Sequence, residues 1–200
     1  MTLPSAPASL PSDPTLIELP HGCRLVRVYD PGRGPWGTRR FFGPLSSARF
    51  DHHTPPTAIH PDRSVWYAAS SLRGAVAEAF GKIGFLDRTS DRRIAMVRLN
   101  KPITVLDLLG AAGKRLKLTQ EIATTTDYRL CQSYARAFYD QFPSVQGIRW
   151  RGREIGSVNL VLNDRTDFSL LALQVDLPLA DSAVWTRIAR AARNCRLDVI

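Results

Sequence analysis

The feature that most constrains this chain is the stretch Ser64–Phe80, in which a short apolar run, Val65–Ala69, passes through Ser70 and Ser71 straight into a helical pattern beginning at Leu72. The run is strand-like in length and carries Trp66 and Tyr67, so it reads as a buried strand. Either serine can accept from the open N–H groups of the first helical turn. On that helix Gly74 and Ala75 precede Glu78 by four and three residues, which places a small-residue face beside the carboxylate. Two readings stand: room for a ligand next to Glu78, or an ordinary solvated helix glutamate.

Around this unit the segments alternate irregularly. Cys23–Tyr29 alternates as a strand with Leu25, Arg27 and Tyr29 on one face, so Arg27 either pairs with a carboxylate or points into a pocket. Asp30–Gly37 is a turn-rich loop that matches neither phosphate-cradling glycine pattern. Ser46–Asp51 is a second short segment. The histidines His52, His53 and His60 lack a third ligand at a metal-binding spacing and are expected to line a variable loop. Strands are expected over Arg92–Asn100, Pro102–Leu109, Gly147–Gly152, Ser157–Leu162 and Phe168–Asp176. Helices are expected over Gln120–Thr125, Tyr128–Gln141 and from Asp181 or Ser182 to Arg196, with Lys114–Lys117 a wet basic link. This order implies an α+β domain of mixed sheets flanked by helices, not a doubly wound parallel sheet.

Two hundred residues, 44% hydrophobic, suffice for one core, expected over 23–200 behind a proline-spaced arm over 1–22 that is flexible or draped over the domain. That arm lacks Lys and Arg in its first twenty residues, unlike a signal peptide, and no apolar run approaches the ~18 residues of a membrane span. A cytoplasmic protein with reduced, buried Cys23, Cys131 and Cys195 is expected. The formal charge of +9 is carried mainly by arginine and peaks on the last helix at Arg187, Arg190, Arg193 and Arg196. It suits a solvated face, an acidic protein partner, a dinucleotide or nucleic acid.

Taken in order, Arg27-Val-Tyr29, Ala48-Arg49-Phe50, Trp66-Tyr67-Ala68 and Ala75-Val-Ala-Glu78 resemble the RES-domain family, named for its Arg, Glu and Ser residues. Leu106–Leu109, Asp127-Tyr128 and Gly147–Trp150 continue the resemblance, which spans about 24–163 and leaves the strand and basic helix of 168–196 beyond it. The resemblance implies a fold like that of ADP-ribosyltransferase toxins and a bacterial toxin that consumes NAD by hydrolysis, phosphorolysis or ADP-ribosyl transfer, neutralised by an antitoxin protein. It implies that Arg27 and Arg49 hold the pyrophosphate, that Tyr67 and, less directly, Tyr29 stack on the nicotinamide or its sugar, and that Glu78 is the catalytic carboxylate, with Arg49 counted among the catalytic residues too. The family serine falls on Gly152, and Ser157 can replace it if the intervening loop folds back; Ser133 reads as structural.

The chemistry suits those residue types. Cleavage of the nicotinamide–ribose bond passes through an oxocarbenium-like state that a carboxylate stabilises, while forked arginine hydrogen bonds hold phosphates. The pyridinium leaves as a neutral molecule, so no metal is expected. Two other classes compete: a basic nucleic-acid-binding module, disfavoured because aromatics are not interleaved with the basic clusters, and a catalytically silent relative that only binds a partner.

Overall fold

The computed structural model describes residues 6, 10–111, 113, 116, 122, 125–152 and 155–200. Its strands are β1 (Leu16–Leu19), β2 (Arg24–Tyr29), β3 (Phe42–Gly43), β4 (Ala58–Ile59), β5 (Val65–Ala69), β6 (Phe85–Leu86), β7 (Arg93–Leu99), β8 (Ile103–Asp107), β9 (Gly147–Arg151), β10 (Val158–Asn163), β11 (Leu171–Pro178) and β12 (Asp198–Val199). Its helices include α1 (Leu72–Phe80), α2 (Arg129–Gln141) and α3 (Ser182–Asn194).

Eight strands form one sheet in the order β1-β8-β9-β10-β5-β2-β7-β11. Every pairing in it is antiparallel except β8 with β9. The join between β5 and β2 is the weak seam, because those strands share the single Cα pair Val26↔Ala69. Just three residues separate Leu99 on one side of the seam from Ile103 on the other, so the sheet must curl. Its enclosed face buries Leu25, Trp66, Val97, Leu99, Ile103, Val105 and Leu162 in a shared core.

The outer face carries the helices. Cys131, Tyr134, Ala135 and Phe138 of α2 pack on Leu106, Ile148, Trp150 and Val161, while α1 and α3 bury Val76, Phe80, Ile188 and Ala192 against Val26 and Ala69. Of the two serines that the sequence offers, Ser71 caps α1, its side chain accepting from Gly74 N at 3.1 Å, and Asp181 caps α3. Gly147 admits no side chain, since a Cβ there would lie 2.4 Å from the Val161 carbonyl of the neighbouring strand.

The α+β expectation agrees with this architecture, with several corrections. Of the two readings of the arm over 1–22, the described part is not flexible but lies on the domain: it contributes β1, which pairs with β8 along Leu16–Leu19, and Leu10 is buried against the α2 core. The strand expected from Phe168 starts at Leu171, because the Asp167 side chain accepts from Ser169 N and turns Phe168–Leu170 into a 3₁₀ turn. Ser46–Asp51 consists largely of turns. Cys131 is buried, but Cys23 and Cys195 are only half-buried. Most of the helix expected over Gln120–Thr125, most of Lys114–Lys117 and the residues Arg153 and Glu154 lie outside the described residues. Among the described residues no helix is long and apolar enough to cross a membrane.

Candidate functional site

A cavity of about 330 Å³ opens where β2 and β5 part. Residues from both strands line it, and α1 supplies Ala75, Glu78 and Ala79 from one side. The loop between β3 and β4 supplies Leu45, Ser47, Ala48 and Arg49, and Tyr128, Trp150 and Asn159 complete the wall. Among the described residues, five arginines, Arg27, Arg33, Arg40, Arg49 and Arg92, and one carboxylate, that of Glu78, line it. Such a cleft has a strongly positive field suited to a polyanionic ligand.

Of the residues singled out from sequence, the structure brings Arg27, Arg49, Tyr67 and Glu78 to this cavity. Glu78 is exposed, and its Oε1 accepts from Asn159 Nδ2 at 2.6 Å. The small face expected to leave room beside it is divided. Ala75 does line the cavity, but a Cβ on Gly74 would lie 3.0 Å from both the Ala69 and Ser157 Cβ atoms, so Gly74 is there for close packing on the sheet.

Tyr67 presents its ring to the cavity, edge-on to Trp150 with centroids 6.0 Å apart. Its hydroxyl is buried beside the Phe50 backbone and lacks a well-aligned partner among the described residues. Burial and the nearby Asp51 charge push that phenol well above its ordinary value, so it stays neutral.

Arg27 lies over the Trp66 ring at 5.3 Å and donates to the Thr38 carbonyl at 3.3 Å. Burial brings its pKa down to about 10, helped by the Arg40 charge and opposed by Tyr29, so it remains charged near neutrality. Arg49 is buried, and its guanidinium stacks on Tyr128 at 4.5 Å. It donates to the Ile122 and Thr125 carbonyls and to Cys131 Sγ, so part of its fork holds the wall of the cavity.

Tyr29 and Ser157 depart from the expected site. The Tyr29 hydroxyl donates to Asp176 at 2.8 Å and accepts from Arg93 Nε at 3.1 Å, and the residue does not line the cavity. Ser157 stands behind the wall, its Oγ donating to Asn159 Oδ1 at 3.1 Å. Gly152 lies beneath this cluster: a Cβ there would sit 2.6 Å from Glu78 Oε1, 2.5 Å from Asn159 Nδ2 and 2.9 Å from Ser157 Oγ.

Sequence reasoning missed Asn159 and Arg40. Arg40 carries one Nη to Asp51 Oδ2 at 2.9 Å and to the Phe42 carbonyl. The fully buried Asp51 also accepts from Leu45 N at 2.9 Å and bonds His53 Nδ1. Burial would raise the Asp51 carboxyl, but His53, Arg40 and the Leu45 N–H outweigh it and bring the pKa down to about 2. His52 and His53, expected to line a loop, do lie between β3 and β4 but turn inward. His52 and His53 are buried, and His52 Nε2 faces Asp164 at 3.2 Å, a carboxylate that also accepts from Tyr139 at 2.7 Å and Ser64 N at 3.1 Å. Among the described residues no group of three His, Cys, Asp or Glu side chains is placed to hold a metal ion.

A comparison with curated proteins returns no match. The fold is similar to that of a chain from the crystal structure of the M. tuberculosis MbcT–MbcA toxin–antitoxin complex, with a TM-score of 0.62 and 20% identity over 86% of this chain and 92% of that one. At that identity the likeness speaks for the fold. The family model of the RES domain matches residues 24–186, which include the split between β2 and β5, the arginines around it and Glu78. A match over that much of the sequence makes this chain a member of the RES-domain family.

Proposed function

We propose that the chain cleaves the nicotinamide–ribose bond of NAD and serves as the toxin of a toxin–antitoxin pair, acting in the cytoplasm. The observation that carries the reading is the convergence of Glu78, the Tyr67 ring and five arginines on one cavity. Its volume falls within the ~300–1,000 Å³ usual for ligand pockets.

In this reading the arginine side of the cavity binds the pyrophosphate, and the Tyr67 ring packs on the nicotinamide or its ribose. The glycosidic C–N bond breaks with its electron pair going to the pyridinium nitrogen, and nicotinamide leaves neutral. The Glu78 carboxylate faces the positive charge left on the sugar and accepts from a ribose hydroxyl. Water, phosphate or a protein nucleophile then adds to the anomeric carbon and loses its proton, giving a glycohydrolase, phosphorylase or transferase outcome.

Nicotinamide release from NAD by the purified protein tests the activity. Glu78→Gln keeps the shape and removes the charge, and is expected to lower kcat by about 10²–10⁴-fold. Equal release by both proteins sinks the assignment. The toxin role is supported by family membership and by the toxin–antitoxin complex in which the similar fold was solved. Expression of the chain alone is expected to arrest growth, and an antitoxin to relieve the arrest. Arg187, Arg190, Arg193 and Arg196 are all exposed, and would speed the approach of an acidic partner. Harmless expression of an active enzyme counts against the toxin role.

A further inference from the structure

In the site described above the Glu78 carboxylate accepts from an amide, that of Asn159. We propose that Asn159 is a positioning residue for Glu78, and that Ser157 acts behind it by fixing the orientation of the Asn159 amide. The inference rests on the reading of Glu78 as the carboxylate that faces the sugar cation.

Asn159 sits in the middle of the sheet, paired with Ala69 on one side and Trp150 on the other, and is 1% exposed. Both ends of its side chain are engaged. Nδ2 donates to Glu78 Oε1 at 2.6 Å, and Oδ1 accepts from Ser157 Oγ at 3.1 Å. An ionised carboxylate can only accept, so the amide must turn its NH₂ toward Glu78, leaving its oxygen for a donor. The Ser157 hydroxyl is that donor, and Ser157 is held in turn by its carbonyl, which accepts from Gly152 N at 2.7 Å.

The choice of an amide has a chemical consequence. A guanidinium at this point would orient Glu78 but would cancel the negative potential that the sugar cation needs. A neutral donor fixes the carboxylate and favours its ionised form while leaving its charge intact. The same arrangement accounts for Gly152. The space above its Cα is filled by Glu78 Oε1, Asn159 Nδ2 and Ser157 Oγ, all within 2.9 Å of where a Cβ would stand. The Ser157 hydroxyl thus acts on the site through Asn159 from behind the wall, and a side chain at 152 would have to displace one of these three atoms.

The test combines kinetics with a readout that does not depend on turnover. The chain contains four glutamates, so carboxyl-¹³C glutamate labelling gives few resonances, and Glu78→Gln assigns the one of interest. Asn159→Asp is isosteric and sets a second carboxylate against Glu78, so the Glu78 titration midpoint is expected to rise by about one pH unit or more. The acid limb of the kcat profile should move with it. Asn159→Ala, which removes the donor, is expected to raise the midpoint less and to lower kcat roughly 10- to 100-fold with KM nearly unchanged. Ser157→Ala should lower kcat less than Asn159→Ala, with the midpoint close to wild type. An unchanged midpoint and kcat in both Asn159 variants, with urea transitions showing them folded, overturns the inference. Wild-type protein that releases no nicotinamide rejects the NAD reading instead, and the carbon titration still decides whether Asn159 holds Glu78.

Discussion

The Arg40 guanidinium reaches the buried Asp51 carboxylate at 2.9 Å, and this pair ties one wall of the cavity to the interior. Because Asp51 also takes the Leu45 N–H and bonds His53, one carboxylate fixes the path of the loop that carries Leu45, Ser47, Ala48 and Arg49 to the cavity. Removing Arg40 leaves a buried charge short of its cationic partner. Arg40→Ala is therefore expected to destabilise the fold by about 3 kcal/mol, the usual scale for breaking a buried pair. Urea unfolding measures it, and a loss below about 1 kcal/mol would show that Asp51 does not depend on Arg40.

The same carboxylate makes stability depend on pH in a definite direction. In the folded chain Asp51 releases its proton near pH 2, whereas an unfolded aspartate does so near ~4, so between those values the unfolded chain binds more protons. The contribution is complete above about pH 5 and is lost as pH falls through 4 toward 2, amounting to about 2 kcal/mol. Asn at this position cannot titrate. Asp51→Asn should be less stable at neutral pH and should show a shallower fall in thermal midpoint between pH 4.5 and pH 2.5, whereas parallel curves for the two proteins would refute the assignment.

Restoring a serine at position 152 offers a sharper test of the site. The atoms that a Cβ would meet at 2.5–2.9 Å belong to Asn159, Glu78 and Ser157, and of these Asn159 is buried and bonded at both ends. The new side chain must therefore displace Glu78 or tear the amide from it. Gly152→Ser is expected to lower nicotinamide release about tenfold or more, not to raise it. Enhanced turnover would mean that the observed packing is not the active arrangement.

The sequence made these contacts visible to very different degrees. Arg24–Tyr29, Val65–Ala69 and Arg93–Leu99 were legible as strands because alternation or apolar content is a local property. Leu16–Leu19 was not, since four residues between prolines carry no period and their partner Leu106 lies 90 positions away. Glu78, Arg27, Arg49 and Tyr67 emerged because short motifs in a fixed order carried them. Tyr29 belongs to one of those motifs but faces away from the cavity, toward Asp176. Arg40 and Asn159 gave no signal. A lone asparagine on a strand looks like any polar residue until the register sets it beside Ala69 and under α1. Asp51 and the paired histidines likewise sit between glycine and proline turns, where nothing local reveals that they are buried.

The two ends of Tyr67 make separable contributions. Its ring faces the cavity, while its hydroxyl is buried without a well-aligned partner among the described residues, and a buried hydroxyl left that way gives little or no net stability. Tyr67→Phe is expected to change unfolding free energy by less than about 1 kcal/mol and to keep nicotinamide release within a few-fold of wild type. Tyr67→Ala removes the ring that packs on Trp150 and should cost about 3 kcal/mol or more and most of the activity. A Phe variant as damaged as the Ala variant would assign the hydroxyl a role in the chemistry.

Arg49 combines support of the wall with exposure to the ligand, and lysine separates the two. Its fork spans the Ile122 and Thr125 carbonyls and its plane lies on Tyr128, geometry that a point-charge ammonium cannot reproduce. At least one buried carbonyl would lose its donor in Arg49→Lys, so the fold is expected to lose about 2 kcal/mol. Positive charge at the cavity persists, so on the proposed NAD reading kcat should stay close to wild type while KM for NAD rises several-fold as the N–H groups that the wall carbonyls leave to the ligand are lost. Paired urea and steady-state measurements read both effects. A Lys variant with wild-type stability would remove Arg49 from the wall, and one with wild-type KM would remove it from the pyrophosphate.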